Sequence, residues 1–103
     1  MTSRNRLPRP SSLGDVVRYR VIVSGRVQGV WYRESCRREA MAAGVGGWIR
    51  NNYDGTVEAV VEGPPPAVDR VVDWMRQGPR RAVVAGVDVV PEEPRGESGF
   101  VVL

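Results

Sequence analysis

The stretch Ser24-Gly25-Arg26-Val27-Gln28-Gly29-Val30-Trp31-Tyr32-Arg33 sets two glycines four residues apart and an arginine four residues after the second. It follows a β-branched run and precedes a helical pattern. A helix that starts here leaves the N–H groups of its first turn without partners. The usual remedy is a Ser, Thr, Asp or Asn cap, and residues 25–32 contain none of these. A bound anion would serve instead, with the glycines letting the backbone turn its N–H groups inward. Arg33 would add a planar fork of donors matched to the paired oxygens of a phosphate. The spacing alone leaves a plain turn equally open, with water on the N–H groups and Arg33 at the surface. The stretch is not a P-loop, which needs two glycines five residues apart followed by Lys and Ser or Thr.

Composition narrows the chemistry. The chain has 103 residues, the size of one domain. It has no histidine, so the commonest acid–base group near neutral pH is missing. One cysteine, Cys36, excludes an internal disulfide, and without histidine a structural zinc site is not expected. Every cation is arginine. Residues 1–20 hold five arginines and one acid, whereas residues 21–103 hold ten arginines and eleven acids. The net charge of +3 is therefore gathered at the N-terminal end and argues poorly for a nucleic-acid face. No apolar run approaches a membrane span. The first 16 residues lack the apolar core of a secretory signal, and a cytoplasmic monomer is the expectation.

The elements that must position the glycine loop follow from periodicity. Residues 1–16 are polar and broken by Pro8, Pro10 and Gly14, which predicts a disordered basic tail, with the domain at 17–103. Residues 17–25 alternate as a strand with Tyr19, Val21 and Val23 on one face. Residues 33–44 form a helix, with Cys36, Ala40 and Ala43 toward the sheet and Gly44 as its stop. Residues 46–63 read as two strands joined at Asn52-Tyr53-Asp54-Gly55. A second helix begins in Pro64-Pro65-Pro66, buries Val68, Val71, Val72 and Met75, and stops at Gly78-Pro79. Residues 82–90 give a fourth strand with a bulge near Gly86, and residues 99–103 suit a short fifth. The order β-α-β-β-α-β predicts an α+β ferredoxin-like sandwich, an antiparallel sheet with both helices on one face. The same periodicity makes Cys36 a core residue, not a nucleophile. As large aromatics, Trp48 and Trp74 are also placed in the core. Arg37 and Arg38 are read as a solvated face.

Gly25-Arg-Val-Gln-Gly-Val-Trp-Tyr-Arg33 and Gly47-Trp-Ile-Arg-Asn-Asn-Tyr-Asp-Gly-Thr-Val, continuing to Gly63, resemble the two signature segments of the acylphosphatase family. The likeness runs from about Val17 to the C-terminal end and includes Trp74 and Gly78-Pro79. It implies hydrolysis of the carboxyl–phosphate bond of small acyl phosphates, with no metal and no organic cofactor. Arg33 matches the family's phosphate-binding catalytic arginine and Asn51 its water-orienting asparagine. The backbone of Gln28, Gly29, Val30, Trp31 and Tyr32, with Arg33, matches the phosphate cradle. The implied partners are a small acyl phosphate and, as inhibitor, inorganic phosphate or sulfate, with no nucleic acid and no membrane. Trp31 occupies a tolerant position; it either walls the acyl side of the pocket or packs. Two other readings stand beside this one. One is a non-catalytic anion-binding accessory domain on the same scaffold. The other is an RNA-binding ferredoxin-like domain, which needs exposed aromatics on the central strands; strand one offers Tyr19 alone.

Overall fold

The computed structural model describes residues 15–103. Of the tail expected over 1–16, only Asp15 and Val16 fall among them; the rest lies outside the described residues. Seven elements follow: β1 (Val17–Arg26), α1 (Tyr32–Ala43), β2 (Gly46–Asn51), β3 (Val57–Gly63), α2 (Pro65–Met75), β4 (Val83–Glu92) and β5 (Phe100–Val102). They form one sheet in the order β4-β1-β3-β2-β5. The first four strands pair antiparallel, as the ferredoxin-like pattern requires. The fifth is real and joins parallel to β2, Ile49 opposite Val102, so the complete sheet is mixed.

Strand alternation decides which face is dry. In β1 the odd residues Val21 and Val23 are fully buried, and opposite them in β3 stand Ala59 and Val57. These meet Tyr32, Cys36 and Ala40 of α1 and Val68, Val71, Val72 and Met75 of α2 in one core. Both helices thus cover the same face; the set read for α2 is buried, as are Cys36 and Ala40 of α1, whereas Ala43 is half-buried at the core margin. Cys36 is wholly enclosed, and burial pushes its thiol up to about 12, the opposite of an activated nucleophile. Gly44, at φ 74, ends α1. The bulge falls where β1 passes β4: Ser24 faces Gly86 but Gly25 faces Val84, leaving Ala85 extra. Gly25 is required there, because a Cβ at its φ of 116° would stand 2.2 Å from the Val83 carbonyl oxygen.

The other face carries a web of arginine and glutamate. Arg18, 3% exposed, donates to Glu62 at 3.0 Å, Glu92 at 3.0 Å and Glu97 at 3.2 Å. Arg20 pairs with Glu58 and with Glu92, and Arg50 donates to Glu58 at 3.1 Å. Two of the N-terminal arginines are therefore neutralised inside the sheet. Trp48 belongs to this face, not to the helix-side core where the sequence placed it. It shares strand parity with Arg50, is half-buried, and lies 5.1 Å from the Arg50 and 5.8 Å from the Arg20 guanidinium carbon. Trp74 is half-buried at the core margin, its ring 5.4 Å from that of Tyr32. No helix among the described residues is long and apolar enough to cross a membrane.

Candidate active site at the tip of α1

The loop between β1 and α1 is pinned at both ends and by the Gln28 side chain, with Gly29 and Trp31 left at the surface. Val27 and Tyr32 are buried, whereas Gly29 and Trp31 are exposed. The Tyr32 hydroxyl donates to the Met75 carbonyl at 2.7 Å, tying the first turn of α1 to the last turn of α2. Burial drives its pKa upward, so it stays a donor. Gly29 takes φ 74 and Trp31 takes φ 66, both left-handed. The cap residue Trp31 makes no side-chain capping bond. Its carbonyl accepts from Ser35 at 3.0 Å, and among the described residues the N–H groups of Val30 to Glu34 meet no acceptor. The helix tip is therefore a cluster of unused donors carrying the positive end of the helix dipole.

Glu34, in the first turn, would oppose an anion there, but it is claimed by its own helix. Arg37 donates to it at 2.7 Å and Arg38 at 3.3 Å, and hydrogen bonding from Arg37 foremost holds its carboxyl down to about 2. Arg37 and Arg38, read as a solvated face, thus have a specific partner.

Arg33 sits half-exposed in the first turn of α1, and its Nη1 donates to the Leu103 carbonyl at 3.3 Å. Leu103 in turn donates its N–H to the Ile49 carbonyl of β2 at 2.9 Å. Two residues on, β2 ends at Asn51. Parity puts Asn51 on the Ile49 face, the side of the helices, opposite Val57. Arg33 is thus linked through Leu103 to Ile49, two residues before Asn51 on the same face of β2. Of the two consecutive asparagines, Asn52 does the turn work: its Nδ2 donates to Thr56 Oγ1 at 3.0 Å and to Glu58 at 3.2 Å. Asn51 is exposed, with its amide in no hydrogen bond among the described residues, beside a hollow of about 440 Å³ lined by Arg50, Asn51, Asn52 and Tyr53.

Gln28 was expected to contribute backbone to the cradle; its side chain has a task the sequence does not advertise. Nε2 donates to the Asn52 carbonyl at 2.8 Å and to the Thr56 carbonyl at 2.9 Å. It staples the loop to the β2–β3 turn and so fixes the distance between the helix tip and Asn51. A second missed residue is Glu62. Its carboxylate accepts the N–H groups of Arg95, Gly96 and Glu97, the closest at 2.6 Å, along with Arg18. Burial works to raise its pKa, but these donors outweigh that and hold it below the ordinary 4.5. The organised segment leads into β5 and Leu103. A second hollow, of about 430 Å³, opens at the far end of the sheet between Gly44 and Gly99, and no residue of the loop reaches it.

The comparisons with known proteins agree with this geometry. The family model described as acylphosphatase matches residues 19–102. An acylphosphatase of Gloeobacter violaceus is 52% identical over 91 residues, 88% of this chain and 98% of its own length. The crystal structure of acylphosphatase from Bacillus subtilis superposes with a TM-score of 0.82 at 34% identity, covering 84% of this chain and 98% of that one. Full-length HypF in its phosphate- and nucleotide-bound form reaches the same TM-score at 19% identity, over 91% of this chain but 12% of that one, a likeness of fold alone. With the family model matching 19–102 and a relative 52% identical over 88% of it, the chain belongs to the acylphosphatase family.

Proposed function

We propose that the protein hydrolyses the carboxyl–phosphate bond of small acyl phosphates to a carboxylate and inorganic phosphate. The observation that carries this reading is the tip of α1: unused N–H donors from Val30 to Glu34, with Arg33 in the same turn. The phosphoryl oxygens sit in the loop 25–33, on the backbone of Gln28, Gly29, Val30, Trp31 and Tyr32, and the Arg33 guanidinium neutralises them. Phosphoryl transfer spreads charge over the equatorial oxygens, so fixed donors are the main catalytic need. Asn51 aims a water at phosphorus: its carbonyl accepts from the water and its NH2 donates, which fixes the lone pair in line.

As the new P–O bond forms, the P–O bond to the acyl group breaks and the carboxylate departs with the electron pair. A carboxylate is a stable leaving group and needs no proton, which fits a chain without histidine. The proton of the attacking water passes to a phosphoryl oxygen of the substrate. The enzyme works without metal or organic cofactor, as a monomer in the cytoplasm, whose reducing conditions suit the single thiol. Inorganic phosphate and sulfate compete for the loop. Nucleic acid and membranes are not partners: the open sheet face is occupied by its own ion pairs, and its aromatic, Trp48, is clamped between Arg20 and Arg50.

The test is release of phosphate from benzoyl phosphate with and without a chelator. Turnover that persists with the chelator and is competed by inorganic phosphate supports the reading. Phosphate binding without turnover would contradict it and favour the anion-binding accessory domain.

A further inference from the structure

Trp31 is anomalous twice over. It is the single non-glycine with positive φ among the described residues, and its side chain is 77% exposed. A left-handed backbone favours glycine, and the loop already uses one two residues earlier. Burial would justify an indole there, but Trp31 takes no part in the core; its neighbours Val30 and Tyr32 make those contacts. Packing, one of the two readings open at the sequence level, is thereby removed. A residue that is backbone-strained, apolar and solvent-facing on the rim of a binding loop is one held there for what it meets.

What it meets follows from the substrate. With the phosphoryl group seated on the tip of α1, the acyl group must project out of the cradle across the rim. We infer that the Trp31 indole forms the acyl-side platform of the site and sets a preference for flat aromatic or extended apolar acyl groups over acetyl. This rests on the phosphoryl-binding reading of the loop. Trp31 acts on substrate choice, not on the transfer step: an aryl acyl group gains the ring face, while acetyl is too small to cover it.

The experiment measures kcat/KM for benzoyl phosphate and for acetyl phosphate in the wild type and in Trp31→Ala, Trp31→Gly and Trp31→Phe. The Gly variant suits φ 66 and guards against misfolding of the Ala variant. The benzoyl-to-acetyl ratio is expected to fall about fivefold to tenfold in the Ala and Gly variants, chiefly through KM for benzoyl phosphate, and to be largely retained in the Phe variant. An equal loss on both substrates overturns the inference. So does a ratio that moves with Tyr53→Ala, the fully exposed aromatic of the β2–β3 turn, but not with Trp31→Ala. A wild type that turns over neither substrate sinks the phosphoryl-binding reading itself, and this inference with it.

Discussion

The two helices begin without a side-chain cap, yet they solve the same problem in opposite ways. At α2 the chain runs Pro64-Pro65-Pro66, and proline has no N–H to leave unsatisfied. Its first turn keeps the N–H of Ala67 alone, a nearly silent tip. At α1 the corresponding turn is Val30-Trp31-Tyr32, where every residue keeps its donor and left-handed residues aim the backbone. One tip removes the donors; the other keeps them, adds Arg33, and answers its own Glu34 with two arginines. The difference teaches that an absent cap carries information only together with what replaces it. Three prolines mark a structural start, whereas glycines and an arginine mark a seat for an anion.

Substitutions sharpen this contrast in descending order of effect. Arg33 at the first tip meets Leu103, at the end of a segment that Glu62 organises. Glu62→Ala strips the buried Arg18 of a partner and frees the segment leading to Leu103, and should cost about 3–5 kcal/mol of stability, read by denaturant titration. The same group predicts acid sensitivity. Because its folded pKa is lowered, its contribution is complete above the ordinary carboxylate value of 4.5 and is lost as pH falls through the lowered value. The midpoint shift between wild type and Glu62→Ala should therefore narrow only in acid.

At the active tip, Arg33→Gln should lower kcat/KM by about 100- to 1000-fold and weaken competition by inorganic phosphate. Asn51→Ala should lower kcat while leaving that competition nearly intact, since it positions water and not phosphate. Gly29→Ala meets no atom within 4 Å, so its cost is the left-handed backbone alone, about 1–2 kcal/mol, measured by thermal unfolding. Pro66→Ala at the silent tip should change stability by less than about 1 kcal/mol and leave kcat/KM unaltered. A drop in activity there would erase the distinction between the tips.

Much of this was legible because it is local. Helical spacing named Cys36, Ala40, Val68 and Met75 as core, alternation named Val21 and Val23, and the missing cap residue pointed to the loop. Trp48 was misplaced because its size suggested burial with the helices. Its parity with Arg50, against Ile49 between them, carried the correct signal. The roles of Gln28 and Glu62 were not legible. Apart from the Arg18 side chain on Glu62, their partners are backbone groups 24 to 35 residues away, which any sequence supplies equally. Only tertiary structure decides which carbonyl or N–H comes within reach. Composition alone did not tell Asn51 from Asn52; the resemblance singled out Asn51, and the structure adds that Asn52 holds Thr56 and Glu58.

The central claim is that the N–H groups at the start of α1, and not those of α2, receive the phosphoryl oxygens. An amide NMR titration of the protein with inorganic phosphate tests it directly. Saturable shifts are predicted at Gly29, Val30, Trp31, Tyr32 and Arg33, with Ala67 and Val68 of α2 unmoved. Shifts confined to other residues, or none at phosphate concentrations that inhibit turnover, would contradict it.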